Sequence, residues 1–184
     1  MKLHLGCGKR YIPGFIHVDL GDFPHIDYRH SIDSLPMVQD NSVDLIYASH
    51  VLEYFDRQQA ARVLVEWHRV LIPQGILRLA VPDFQALIEV YRQTGELNNI
   101  LGPLYGRFVI ECGTDGQQII YHRTVYDFPS LKRLLEENGF ANVRRYDWRQ
   151  TLHKKYDDFS QAYFPHMDKE QGLLISLNVE AMKK

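Results

Sequence analysis

Short apolar runs separated by polar turns predict a sheet whose strands alternate with helices. Strand-length runs occupy residues 2–5, 15–20, 43–48, 76–81, 141–148 and 173–181, with a shorter one near 26–29. Helical spacing of apolar residues predicts helices at 56–71, 84–93 and 129–138. The alternation predicts a mostly parallel sheet. An antiparallel last strand is expected, because residues 149–172 carry no helical pattern that would supply a parallel crossover.

The first strand leads into a Gly-x-Gly turn, and an acid ends the second strand. The turn is Gly6-Cys7-Gly8, and Asp19 is the acid. In a nucleotide-binding βαβ unit, glycine lets the backbone approach a ligand, and the carboxylate accepts hydrogen bonds from ribose hydroxyls. Here Asp19 follows Gly6 by thirteen residues, where a dinucleotide fold takes about 20, and the third glycine of the Gly-x-Gly-x-x-Gly pattern is missing. A shortened first crossover helix is therefore expected, and a nicotinamide-dependent oxidoreductase is disfavoured.

Composition favours one soluble domain spanning residues 1–184. The chain is 45% hydrophobic, enough to build a core, and its net charge of −2 argues against bulk binding to nucleic acid or anionic lipid. Cys7 and Cys112 match no zinc or disulfide spacing, and no apolar run reaches 18 residues. A cytoplasmic protein without a metal site is expected. Residues 95–126 and 149–172 lack a clear pattern and are expected to form lid or substrate-binding segments. Turns are expected within the first of these, at Gly102–Gly106 and Gly113–Gly116.

Five segments in order resemble the class I S-adenosylmethionine-dependent methyltransferases, and within them the small type 11 group. They are Leu5–Gly8, Val18–Asp19, residues 40–53, residues 69–77 and residues 134–143. The resemblance implies a Rossmann-like three-layer α/β sandwich and S-adenosyl-L-methionine as cofactor. It also implies a small-molecule acceptor, with oxygen methylation of a sugar or nucleotide-linked saccharide as the expected reaction. A non-catalytic partner or regulatory protein with this fold is the alternative, and a homo-oligomer is compatible with either.

The resemblance also implies a cofactor site built from the ends of four strands. Its expected residues are Gly6, Cys7, Gly8, Tyr11, Asp19, Leu20, Ile32, Asp33, Ala48, Ser49 and His50. Purely structural roles remain open for several of them. The glycines fit a plain tight turn, Tyr11 fits a packed surface tyrosine, and Asp33 fits a turn cap.

Two residues at the carboxyl ends of strands are the candidate catalytic groups. His50 is the first candidate for a general base, because imidazole titrates near neutrality and ligands gather at this edge of a parallel sheet. Asp83 is expected to bind the acceptor or to orient His50, although a helix N-cap explains it as well. Glu53 is expected to be structural. The expected substrate-binding residues are His122, Arg123, Asp158, Gln161 and His166.

Overall fold

A computed structural model describes residues 1–111 and 116–184 of the chain. The helices are α1 (Arg57–Val70), α2 (Phe84–Thr94), α3 (Asn98–Tyr105) and α4 (Phe128–Glu137). The strands are β1 (Lys2–Leu5), β2 (Ile16–Asp19), β3 (Tyr28–Arg29), β4 (Val43–Ser49), β5 (Leu71–Pro82), β6 (Phe108–Glu111), β7 (Gln117–Ile120), β8 (Phe140–Arg145), β9 (Tyr163–Phe164), β10 (Leu173–Leu174) and β11 (Ser176–Lys183). Among the described helices, none combines the length and apolar character needed to span a bilayer.

Seven of the described strands form one sheet in the order β3-β2-β1-β4-β5-β11-β8. The pairs among β1 to β5 are parallel. Strand β11 runs antiparallel to both of its neighbours, β5 and β8. The predicted Rossmann-like α/β fold with an antiparallel last strand is confirmed. The parallel strands bring the turns after β1, β2 and β4 to the same edge of the sheet.

One face of the sheet is apolar and carries helices. Helix α1 begins at Asp56, whose carboxylate accepts hydrogen bonds from the backbone of Gln58 and Gln59 in a capping box. Its buried residues pack with those of α4 and of the strands in one core. Members of that core include Leu3, Leu5, Val18, Ile46, Trp67, Leu79, Leu131 and Leu135. Burial of this shared apolar surface is what holds the helices against the strands.

The opposite face of the sheet is polar and aromatic near β1, β2 and β4. Because side chains alternate along a strand, His4, His17 and Tyr47 lie on this face, opposite the apolar core. The expected shortened helix between β1 and β2 is instead a loop, since residues 6–15 form turns only. Ile12 and Phe15 of that loop pack on Tyr47 and Leu45. Irregular chain thus replaces the first crossover helix.

Residues 95–126 contain more regular structure than their sequence pattern indicates. The expected turn at Gly102–Gly106 is the last part of α3, which ends where Gly106 takes a left-handed φ of 40°. Strands β6 and β7 then form an antiparallel hairpin. Cys112 and the first three residues of the expected turn at 113–116 lie outside the described residues. Elsewhere, Pro73-Gln74-Gly75 lies inside β5, and β8 ends at Arg145 rather than Trp148.

Trp67 of α1 connects the helical layer to the loop after β3. Its indole Nε1 donates a 2.8 Å hydrogen bond to the carbonyl of Ile32, and its ring is fully buried. We expect Trp67→Phe to lower the free energy of unfolding by about 2 kcal/mol, because it removes volume and leaves a buried carbonyl unpaired. Urea denaturation measures the loss. Trp148→Phe is the control, since that indole makes a longer, 3.3 Å bond to Tyr163. Equal losses in the two variants would contradict this role for the hydrogen bond.

Candidate functional site

The Gly6–Gly8 turn connects β1 to the edge where the parallel strands end. Gly6 donates to the carbonyl of Val18 at 2.9 Å and has a φ of 64°. A Cβ on Gly6 would lie 2.1 Å from Cγ1 of Val51, so this close approach requires glycine. Gly8 has a φ of 52°, and a Cβ there would meet no atom within 4 Å. The turn is therefore packed against protein at Gly6 and open at Gly8.

Asp19 joins this turn to the loop after β2. Its Oδ2 accepts a 2.8 Å hydrogen bond from the Gly8 amide, and its Oδ1 accepts a 2.7 Å bond from the Gly21 amide. A carboxylate has about four acceptor sites, so lone pairs remain for ligand hydroxyls. Leu20 is exposed, and its carbonyl accepts a bond from Arg29 Nε. The structure thus brings the predicted ribose-binding acid next to the predicted glycine turn.

The remaining predicted contacts before β4 have well-defined local roles. Cys7 is buried, burial raises the pKa of its thiol, and its Sγ lies 4.0 Å from His25 Nε2. Ile32 has its side chain in the core. Asp33 is exposed and accepts a short hydrogen bond from Ser31 Oγ. These contacts shape the loop, and its role toward a cofactor stays a prediction.

Ala48 and Ser49 end strand β4, and His50 follows them at the same edge of the sheet. Ala48 is fully buried, and Ser49 Oγ is buried without a hydrogen-bond partner among the described residues. His50 follows with a left-handed φ of 55°, an unusual backbone conformation for a non-glycine residue, and its amide donates to the carbonyl of Ala80 at 2.7 Å. Such conformations cluster at functional sites. The backbone therefore holds the His50 side chain in a fixed direction.

The imidazole of His50 lies among groups from distant parts of the chain. Its Nε2 is 3.0 Å from Ser176 Oγ, and its Nδ1 is 3.4 Å from Glu53 Oε1. The ring packs at 5.4 Å, centroid to centroid, on Phe159, which is 54% exposed. Burial, with a smaller contribution from nearby His122, lowers the pKa of His50 to about 3. His50 is therefore neutral across the physiological range.

Glu53, which sequence reasoning expected to be structural, is a buried carboxyl group beside His50. Its side chain is fully buried, and neither carboxyl oxygen has a hydrogen-bond partner in the described part of the chain. Burial raises the pKa of Glu53 to about 8. His122 Nε2, from beyond β7, lies 3.8 Å from Glu53 Oε1. The sequence signal was a carboxyl three residues after His50, which places both on the same short turn.

Asp83 and His50 contact different groups. Its carboxylate accepts a 3.1 Å bond from the Gln85 amide, so it caps α2, and Arg145 Nη1 donates to it at 3.0 Å. His50 is contacted by Ser176 and Glu53 instead. The helix-cap explanation accounts for these contacts. A role for Asp83 toward an acceptor stays a prediction.

The predicted substrate-binding residues divide between two regions. His122 and Arg123 lie beside Glu53, where His122 Nδ1 is 2.9 Å from the carbonyl of Pro103. Asp158 accepts a 2.5 Å bond from Tyr47, and Gln161 is buried, donating to its own segment at the Tyr156 carbonyl. His166 is exposed. The structure therefore brings two of these residues to the His50 region, while Asp158 and Gln161 stabilise the segment over the sheet.

The loop after β1 is tied to the segment after β8 beside His50. Arg10 Nε donates to the carbonyl of Asp157 at 2.8 Å, and its guanidinium lies 5.9 Å from the Phe159 ring. Tyr11 is 55% exposed and stacks on His17 at 5.1 Å.

In residues 1–111 and 116–184, no group of three or more His, Cys, Asp or Glu side chains is arranged to hold a metal ion.

Comparisons with known proteins agree with this fold. Residues 16–79 match the family model of a methyltransferase domain. A methyltransferase of Methanosarcina mazei matches with a TM-score of 0.57 at 18% identity, covering 99% of this chain and 91% of that one. The chain has a class I methyltransferase fold. The resemblance read from the sequence is thereby confirmed.

Two further solved structures share this methyltransferase fold. An S-adenosylmethionine-dependent methyltransferase of Archaeoglobus fulgidus has a TM-score of 0.57 at 16% identity, covering 99% of this chain and 85% of that one. The 1,6-didemethyltoxoflavin-N1-methyltransferase of Burkholderia thailandensis, solved with its substrate and S-adenosylhomocysteine, has a TM-score of 0.55 at 13% identity, with coverages of 100% and 70%. No protein of curated function matches the sequence.

Proposed function

We propose that this protein transfers a methyl group from S-adenosylmethionine to a small polar acceptor. The observation that carries the proposal is the pairing of Asp19 with the open Gly8 turn, at the edge where Ser49 Oγ is buried and unpartnered. An open glycine turn, a carboxylate with spare lone pairs and an unpaired hydroxyl suit a ligand that has an amino-acid end and a ribose. Solved proteins of this fold are S-adenosylmethionine-dependent.

In this proposal the chain supplies alignment and the cofactor supplies the activated methyl group. Asp19 would bind the ribose hydroxyls, and Gly6–Gly8 would lie against the amino-acid end. Ser31–Asp33 would border the adenine. Holding two reactants in line accounts for much of the rate enhancement available to such a reaction. We also propose one methyltransferase domain spanning residues 1–184.

We propose His50 as the group that accepts the acceptor's proton. A neutral imidazole is required for this, and burial keeps His50 neutral. Although a pKa of about 3 makes His50 a weak base, a hydroxyl or amine becomes far more acidic as it forms its bond to the methyl group. A weak base therefore suffices late in the reaction.

The proposed acceptor is a small polar molecule, with a saccharide hydroxyl as the first compound class to test. The exposed Phe159 ring beside His50 supports this choice, since aromatic faces pack against sugar rings and other flat ligands. Residues 95–126 and 149–172 would border the acceptor, because they contribute His122 and Phe159 near His50.

Calorimetry with S-adenosylhomocysteine tests the proposed cofactor site. We expect wild-type protein to bind and Asp19→Ala to bind at least roughly 100-fold more weakly, because two hydrogen bonds to a charged group are lost. Asp19→Asn is the matched control for loop geometry, since its amide oxygen still accepts a backbone hydrogen bond. It is expected to retain the fold and to bind with intermediate affinity. Folded wild-type protein that fails to bind at millimolar ligand would refute the proposal.

A non-catalytic partner protein with a methyltransferase fold is the second candidate. One observation favours it: both oxygens of Asp19 already accept backbone hydrogen bonds, so the loops are braced without any ligand. The calorimetry separates the two candidates. A partner protein would give no heat with wild type or with the Asp19 variants, whereas an enzyme would give a graded series.

A further inference from the structure

Glu53 is buried in a way that the fold alone does not explain. Both carboxyl oxygens are enclosed and lack hydrogen-bond partners among the described residues. A buried polar group left unpaired costs about 1–3 kcal/mol. An apolar residue of similar size would avoid that cost, so the carboxyl group invites an explanation other than packing.

The hydrogen bonds among His50, Ser176 and Asn178 determine which imidazole nitrogen of His50 carries the proton. Asn178 Nδ2 donates to the carbonyl of Ser160 at 2.8 Å, so the amide oxygen of Asn178 faces Ser176. Ser176 Oγ must donate its one proton to that oxygen, at 3.0 Å. His50 Nε2, 3.0 Å from the same hydroxyl, must then be the donor. In a neutral imidazole this leaves Nδ1 without a proton.

The bare Nδ1 of His50 faces Glu53 Oε1 at 3.4 Å. Resting on the proposed function, we propose that Glu53 is a positioning residue that controls this atom. While Glu53 is protonated, its carboxyl faces the lone pair of Nδ1, and the imidazole proton stays on Nε2. When Glu53 ionises, its proton goes to solvent and the imidazole proton moves from Nε2 to Nδ1, so the lone pair of His50 then lies on Nε2, toward Ser176. Glu53 acts on the acceptor only through His50.

The surroundings of Glu53 favour its protonated form near neutral pH. Burial raises the pKa of Glu53 to about 8, well above its ordinary value. The titratable groups that face it are His50 and His122, together with Tyr54 and Tyr126, whose own pKa values are raised by burial and by Glu53. Arg57, next to Tyr126, is the nearest cation named by these interactions. Within residues 1–111 and 116–184, no lysine or arginine forms an ion pair with this carboxyl group.

Glu53 also contacts the chain segment that follows the β6–β7 hairpin. Its backbone carbonyl accepts hydrogen bonds from the amides of Arg123 at 2.8 Å and Thr124 at 3.2 Å. His122 reaches within 3.8 Å of the Glu53 carboxyl and packs edge-on against Tyr54. The position of this chain segment thus determines how completely Glu53 is shielded from water, and so which form it takes.

Nitrogen-15 NMR of histidine-labelled protein tests the proposal without cofactor or acceptor. Loss of a resonance in His50→Gln assigns the His50 signals. In wild type we expect a protonated Nε2 and an unprotonated Nδ1 at pH 7. The Nδ1 shift should then move toward its protonated value with a midpoint near pH 8. In Glu53→Gln, which cannot ionise but still has an amide donor, Nδ1 should stay unprotonated up to pH 9.5.

Each result bears on the proposal. A wild-type Nδ1 that is protonated at pH 7, or unprotonated through pH 9.5, would overturn it, as would the same transition in Glu53→Gln. If that variant does not fold, carbon-13 spectra of glutamate Cδ in wild type replace it. A Cδ resonance must then titrate together with Nδ1, and separate midpoints would overturn the proposal. Calorimetry with S-adenosylhomocysteine reports on the proposed function independently, so the two failures are distinguishable.

Discussion

Replacing Gly6 with alanine should both destabilise the protein and eliminate binding of S-adenosylhomocysteine. The new methyl group would lie 2.1 Å from Val51 Cγ1, and the residue would keep a φ of 64°. A left-handed conformation costs about 1–2 kcal/mol, and forced overpacking costs about 1–3 kcal/mol more. Urea denaturation should therefore show a loss of roughly 2–5 kcal/mol, with calorimetry showing no ligand heat.

Two further variants separate the cost of the left-handed backbone at Gly6 from the cost of the clash with Val51. Gly14 has a φ of 80° with no atom within 4 Å of an added Cβ, so Gly14→Ala measures the backbone cost alone. The double variant of Gly6→Ala with Val51→Ala relieves the clash and should recover part of the stability. If Gly6→Ala and Gly14→Ala lose equal stability, close packing against Val51 is not what requires glycine at position 6.

Mild acid should destabilise the protein through the histidines buried on the polar face of the sheet. His4, His17 and His153 are buried there, and Tyr47 lies between His4 and His153, at centroid distances of 5.2 Å and 4.0 Å. Burial lowers the pKa of all three, and that of His153 to about 4. The unfolded chain, where histidine has a pKa of about 6.5, then binds more protons below that pH. Stability is therefore complete above about pH 6.5 and is lost as the pH falls toward the folded-state values.

His153→Phe isolates one of these contributions. Both ring nitrogens of His153 lack hydrogen-bond partners among the described residues, so phenylalanine loses no bond. Relative to wild type, the variant should gain about 2 kcal/mol between pH 7 and pH 5, since 1.36 kcal/mol accrues per pH unit below about 6.5. Urea denaturation at the two pH values measures the difference. An unchanged difference would contradict the assignment. Glu53 has the opposite effect on stability, because its raised pKa favours the folded state as the pH falls. This effect cancels in the comparison, since Glu53 is present in both proteins.

The order of the sheet strands and the fold were predictable because both rest on local patterns. The spacing of Ala60, Val63, Leu64 and Trp67 predicted α1 within one residue at each end. A helix was missed at α3, where Gly102 and Pro103 suggested a turn although contacts of Ile100 with Leu87 and Val90 stabilise the helix. Tertiary packing overrode local propensity there.

The candidate site was only partly predictable. The glycine turn and Asp19 belong to neighbouring segments, and the short spacing between them correctly indicated that a full helix does not fit. The surroundings of Glu53 were not predictable, because they include His122 and lie beside the hydrogen bonds of Ser176 and Asn178, which are far away in the sequence. No periodicity or motif reports such a contact.

The sequence by itself determined the order of the strands in the main sheet, the Gly6–Gly8 turn and the acid that ends β2. These depend on side-chain periodicity and on backbone conformations that few residues adopt. Only the tertiary structure decided which side chains are desolvated together. It placed Glu53 against His50, and it placed His4, His17 and His153 on a face of the sheet where irregular chain replaces a helix. Burial shifts a pKa through surroundings that distant segments supply, and this chemistry therefore appears only once the chain is folded.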